Sequence, residues 1–515
     1  MTLFSKTIFK YSLIAIISVE ILSFLSFQYP VIAPWVFGAV VLVALVTTIK
    51  NLEWGICIVF AELVIGSFGK ILVLPIHDFQ LPIRMVLWGI VMAVWLVPAI
   101  KNRRIGFLGS QFFKPYIILA AVLAWGIIWG LARGNNLDTV FFDVNNYLYF
   151  ALVFPVYEIL SSGGNAINRV RTIIIAAITW LSIKTILLFY IFSHELFGLQ
   201  DVLYAWSRQM QLAEITNISP LYITSRIFMQ SQIWILFGLF VGLAYVFHVA
   251  SPARRSGGTP GRGPLFRLIT QYKGFLVGLG TTAILSTALI MSFSRSFWLA
   301  TAVSLVLLGL VLWLALREKF WRVFTFGGIS LGVMVLAVGL TIGVMSFPLP
   351  RGGTSSAGLL KERIEKFSSE PAASSRLSQI RPLLTGIAKH PAIGSGFGTA
   401  VTYQSQDPRI VKSHPDGWYT TTAFELGWLE MWLKIGLLGV GVYLYLLWRI
   451  LKVGWQQIKF GSFGWDSGHS DRCIILGGLF GLVALVITHG VSPYLNHPLG
   501  IGIILLTTSF IDHDA

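Results

Sequence analysis

Long apolar runs alternate with short polar ones along almost the whole chain. An apolar run of about 17–25 residues can cross the hydrocarbon core of a bilayer as a helix. Such runs fall near 9–28, 31–49, 53–69, 85–100, 115–132, 141–160, 172–193, 227–249, 275–293, 296–316, 324–346, 426–448, 473–489 and 498–511, which predicts about fourteen transmembrane helices. Between 274 and 316 the only charge is Arg295. One helix of that length would extend about 65 Å, twice a bilayer core, so this stretch is expected to fold back as a hairpin. Its turn is then Ser294-Arg295-Ser296.

Two polar stretches are too long to be turns, 194–226 and 347–425. The second opens with "FPLPRGGTSSAG", which has linker chemistry. Further on, Leu377, Ile380, Leu384 and Ile387 recur at helical spacing, with Ser374 or Ser375 after Pro371 as the expected N-cap. The chain reads as an all-α polytopic membrane protein in four parts. These are an N-terminal transmembrane region (1–226), central helices (227–346), a large loop carrying short helices (347–425) and C-terminal helices (426–515).

Composition agrees. The 515 residues are 55% hydrophobic and 12% charged, with mean hydropathy +0.76, whereas soluble domains carry about 25% charged residues. Lys6 and Lys10 precede the first apolar run, which lacks a small-residue cleavage site and reads as a retained helix. Cys57 and Cys473 lie in or beside apolar runs, which argues against a disulfide framework or a zinc site.

The formal charge of +16 could suggest a nucleic-acid partner, but its distribution argues otherwise. Alternate connections carry Lys101, Arg103, Arg104 and Lys114; Arg169 and Arg171; Arg254, Arg255, Arg262, Arg267 and Lys273; Arg317, Lys319 and Arg322; Lys452, Lys459 and Arg472. This is the asymmetry of cytoplasmic loops. It places both termini inside and both long loops outside.

Four arginines break that asymmetry. Arg226, Arg295, Arg376 and Arg381 are all expected on the outer side, where cations are scarce. A guanidinium is a planar fork that grips phosphate oxygens in pairs, so arginines converging outside suggest a diphosphate, most naturally a lipid headgroup. Arg376 and Arg381 stand five positions apart, about 140° around a helix, so only one faces a given ligand.

His414 lies in "SHPDGWYTTT", roughly ten residues before an apolar run. Several other residues receive structural readings. Gly394, Gly396 and Gly398 in "GSGFG" lack the strand and lysine of a phosphate loop and read as a flexible turn able to approach a ligand closely. His390 is expected to end a helix, Asp138 and Asp143 to cap or be solvated, and Thr422 with Glu425 to form a capping box. His489 and His497 read as a helix end and an outer turn. Lys184 could line a cavity, and Lys434 has no evident role.

Four motifs in this order carry a resemblance: "SRIFMQSQ", "SFSRSFWLA", "SSRLSQIRPLLTGIAKHPAIGSGFGT" and "SHPDGWYTTTAFELGWLEMWLKIGLLG". Over about 220–445 the chain resembles the O-antigen ligase / O-antigen polymerase superfamily of bacterial envelope glycosyltransferases. The resemblance implies a C-type glycosyltransferase in the cytoplasmic membrane, with its active site on the periplasmic side. It implies inverting transfer without a metal or other cofactor, from a polyprenyl-diphosphate-linked glycan donor to a glycan, lipid or protein acceptor. By the same resemblance His414 is the catalytic histidine, and Arg226 and Arg295 hold the diphosphate; the convergence of outer arginines adds Arg376 or Arg381 as an assisting cation. Pro415 stands where the family often has asparagine, which leaves the acceptor class open. An imidazole suits the proton step, because its ordinary pKa of about 6.5 lets it take a proton from an attacking hydroxyl. The alternative is a flippase or secondary transporter of a lipid-linked sugar. That class favours internal repeats and ionisable groups at the midplane, and no clear repeat is evident.

The topology can be tested with single cysteines in a chain lacking Cys57 and Cys473. In intact spheroplasts an impermeant maleimide should label His414→Cys, and should reach Ser256→Cys only after permeabilisation. Equal access to both positions would refute the assignment.

Overall fold

The computed structural model describes residues 5–513, apart from 78, 104, 162, 197, 218–224, 251–263, 348–370, 406–407 and 461–470. The linker after Phe347 therefore lies outside the described residues, as do Arg104, Arg254, Arg255 and Arg262. Every predicted span is helical, and 12 of the helical segments are long and apolar enough to cross a membrane. The third and last fall short of that length, at Leu52–Ile65 and Pro498–His513. The Arg295 hairpin forms as expected, from Pro264–Met291 and Arg295–Leu310. Among the described residues three antiparallel strand pairs, which the apolar pattern does not predict, interrupt the helices: Val73–Ile76 with Phe79–Pro82, Glu214–Asn217 with Ser225–Phe228, and Val401–Gln404 with Trp418–Thr421, called the first, second and third hairpins below.

The helix Gln232–Ala250 sits at the centre, buried along nearly its whole length. Gly477 and Gly481 bring Asp471–His489 against its backbone, since a side chain at Gly477 would run into Val241. This is close helix packing through small residues spaced by four. Lys6–Gln28 and Ala33–Lys50 lie at the periphery and leave most of their side chains outward. Charges within the bundle are paired. Arg84 Nε meets Glu62 Oε2 at 2.8 Å, and Lys184 Nζ meets Glu20 Oε1 at 2.5 Å. Lys184 is thus a partner for Glu20, which sequence alone did not reveal. Such pairing is what a low-dielectric interior requires of buried ions.

The loop 347–425 contains the helices Pro371–Lys389 and Pro408–Ser413. The first begins at Pro371, which suits the first helical position because it lacks an N–H. Ser374 and Ser375 therefore fall inside its first turns and are not the N-cap. Its buried face is Gln379, Leu383 and Ile387, while Leu377 and Leu384 are exposed, so the helix is rotated from the face expected.

The helix Gly427–Phe460 is broken at Gly436, whose φ of 72° takes it out of helical geometry. A break exposes backbone groups that lipid cannot satisfy. The segment 391–398 satisfies them. Ser395 N–H donates to the Leu433 carbonyl at 2.7 Å, and Gly396 N–H to that of Lys434 at 3.0 Å. Past the break, Leu437 N–H donates to the Pro391 carbonyl at 2.9 Å and Leu438 N–H to that of Ala392 at 3.1 Å. On its other side the loop meets Phe113–Ala132, where Phe397 N–H donates to the Gly126 carbonyl at 3.0 Å. Gly394, Gly396 and Gly398 all have positive φ, and a Cβ at Gly396 would strike Gly130. The glycine loop is therefore a packed insert between two helices and not the flexible turn expected from its composition.

Gly436→Ala should lower stability in detergent by at least about 1–3 kcal/mol, since alanine at that φ is strained and its Cβ would meet the Ala392 carbonyl. An unchanged thermal midpoint would show that the break is not held as described.

Candidate active site at the hairpin end of the bundle

Arg226 lies in the strand Ser225–Phe228, opposite Thr216, and not yet in the following helix, which starts at Gln232. Its Nε donates to the Ser292 carbonyl at 3.1 Å, and its guanidinium lies 4.4 Å above the Phe228 ring. Ser292 opens the turn that leads to Arg295, the first residue of its helix. The structure thus brings Arg226 to the turn that carries Arg295. A cation at the positive end of a helix dipole is unfavourable by itself, and an anion is favoured there.

Beside this corner opens a cavity of about 1030 Å³. Each hairpin or its flank contributes: Pro82 from the first, Glu214 and Phe228 from the second, Ala423 just after the third. Trp88, Phe141, Phe142 and Tyr149 give it aromatic walls, and Lys70 and Arg208 add cations. Arg84 also lines it, held by Glu62 and by the Ser67 carbonyl, to which its Nη1 donates at 2.8 Å. Asp143, Glu430, Asn496 and His497 form a polar floor.

That floor rests on the broken helix. Lys434 Nζ lies 2.8 Å from Asp143 Oδ1 and 2.5 Å from Glu430 Oε1. Asp143 Oδ2 accepts from the Gly398 N–H at 2.7 Å. The lysine without an evident role and the aspartate read as a cap are therefore one buried group, joined to the glycine loop.

The remaining sequence-predicted residues sit in the loop 347–425. Arg376 Nε meets Glu425 Oε2 at 2.6 Å, and the Glu425 N–H donates to Gln379 Oε1 at 3.3 Å. Glu425 thus ties the short helix to the start of the broken one. Arg381, five positions on, is exposed, as the helical angle dictates. His414 is exposed at the foot of the third hairpin, with Nδ1 3.0 Å from Ser413 Oγ and its ring 5.8 Å from that of Tyr419. His390 ends its helix as expected and contacts Arg133. None of the five predicted site residues is among the described residues lining the cavity.

Residues 280–444 match the family model described as O-antigen ligase. Over that segment the chain carries a domain similar to the O-antigen ligase family. No curated protein matches the chain. The ligase domain includes Arg295, Arg376, Arg381, His414, Glu430 and Lys434, and Arg226 reaches its Ser292 from outside the matched segment.

Sequence reasoning passed over Glu430 and Arg84, and gave Lys434, Asp143 and His497 no part in a site. Part of the signal was legible: Glu430 and Lys434 are spaced by four within an apolar run, and Arg84 directly precedes another. Asp143 stands 291 positions from Lys434, so local pattern does not join them.

His497, in the turn before Pro498–His513, accepts from the Leu499 N–H through Nδ1 at 3.3 Å. Burial, and secondarily the Arg84 cation, push its pKa well below the usual histidine value. A neutral imidazole in the fold means that acid favours the unfolded chain, which takes up the proton. Stability should therefore be intact above pH ~6.5 and fall below it, by up to about 1.4 kcal/mol per pH unit. Thermal unfolding against pH should be flatter for His497→Gln over that range; identical slopes would refute the neutral assignment.

Proposed function

We propose that this protein is an inverting, metal-independent glycosyltransferase of the outer face of the bacterial cytoplasmic membrane. It moves a glycan from a polyprenyl-diphosphate carrier to an acceptor hydroxyl, as an O-antigen ligase or polysaccharide polymerase does. The observation that carries this reading is the corner where Arg226 meets the Arg295 turn, beside the cavity and at the ligase domain.

Transfer requires that the diphosphate leave with its charge held. Two guanidinium groups and the N-terminal amides of the Arg295 helix supply that field, with no step needing a metal ion. The polyprenyl chain remains in the lipid, and the sugar next to the diphosphate enters the cavity. There the aromatic walls meet the apolar faces of sugar rings, and the polar floor meets their hydroxyls. His414 serves as general base or acceptor orienter, approaching from the loop whose continuation, Ala423 and Phe424, forms a cavity wall. Arg376 and Arg381 assist at the loop: Arg376 fixes it through Glu425, and Arg381 offers an exposed charge to the incoming headgroup.

Arg226→Ala and Arg295→Ala should each lower transfer by about 100-fold or more, and His414→Ala should lower it as well, at normal protein levels. Cells carrying any of the three should accumulate lipid-linked glycan on the outer leaflet. Purified protein should transfer equally well with EDTA present. Accumulation on the inner leaflet would identify a transporter and overturn the proposal.

A further inference from the structure

The buried group at the cavity floor contains two carboxylates and one ammonium, so it carries one negative charge beyond neutrality when all three are ionised. Asp143, Glu430 and Lys434 are 8%, 5% and 4% exposed. Holding the broken helix requires fewer of these groups. Lys434 and Asp143 already form a pair, and Asp143 commits its second oxygen to the glycine loop through Gly398. Glu430 adds a second acid to the same lysine, at the desolvation cost of another buried charge, and it faces the cavity beside Asn146 and Asn496. An ionisable group kept at such cost on a cavity wall marks function.

We infer that Glu430 is the carboxylate that receives the proton of the acceptor hydroxyl, with Lys434 fixing its orientation. The inference rests on the transferase reading, and it leaves His414 the acceptor-orienting role. In the step, the acceptor oxygen forms a bond to the anomeric carbon and its proton passes to the Glu430 carboxylate. The bond from the anomeric carbon to the diphosphate oxygen breaks, and the diphosphate leaves with the electron pair toward Arg226 and Arg295. A fixed carboxylate that activates the nucleophile on the face opposite the leaving group is the arrangement inversion requires.

The test uses the full chain in liposomes, a synthetic polyprenyl-diphosphate-linked saccharide and a saccharide acceptor. Glu430→Gln should lower transfer by about 100-fold or more, the worth of a general base, while retaining donor binding. Azide attacks without losing a proton, so Glu430→Ala should still form the inverted glycosyl azide at about the wild-type rate. Transfer by Glu430→Gln within about threefold of wild type would overturn the inference. So would loss of both transfer and azide reaction in Glu430→Ala, which would mark the residue as purely structural. If wild type forms neither glycoside nor glycosyl azide, the transferase reading fails, and this inference with it.

Discussion

The backbone contact between the glycine loop and the break at Gly436 is the constraint on which the site depends. A membrane helix stops hydrogen-bonding to itself only where other protein groups replace the lost bonds. Here the replacements come from 391–396, a segment that belongs in sequence to the loop 347–425. The large loop is thereby anchored within the bundle, between Phe113–Ala132 and the broken helix.

That anchor has electrostatic consequences. The break leaves the Lys434 carbonyl on the loop and its side chain on Asp143 and Glu430. Asp143 in turn accepts from Gly398, so the loop, the broken helix and Leu137–Val144 share one buried knot. A lysine inside a span would be expensive without these acids, and the acids would be expensive without the lysine. Because the knot faces a cavity and not a closed core, its polarity becomes available to a substrate.

The corner formed by Arg226 and Arg295 follows a different logic. Its parts come from a β-hairpin and a helical hairpin, joined by the Nε of one arginine on the Ser292 carbonyl, just past the helix preceding the other. Positive charge, a helix N-terminus and the Phe228 ring then coincide beside the cavity. In the reaction proposed above, this corner meets the diphosphate, and the knot at Lys434 meets the acceptor hydroxyl.

By itself the sequence determined the membrane class, the placing of the helices and the Arg295 hairpin, because hydrophobic length is a local property that a bilayer reads directly. It also determined that Arg376 and Arg381 diverge, since helical angle is local. Tertiary structure decided that "GSGFG" is an insert and that Lys434 finds Asp143. It also decided that Glu425 serves Arg376 and that Pro371–Lys389 turns a different face inward. Each of these depends on a partner far away in the chain. Periodicity shows which residues are expensive to bury; only the fold shows which distant group compensates them.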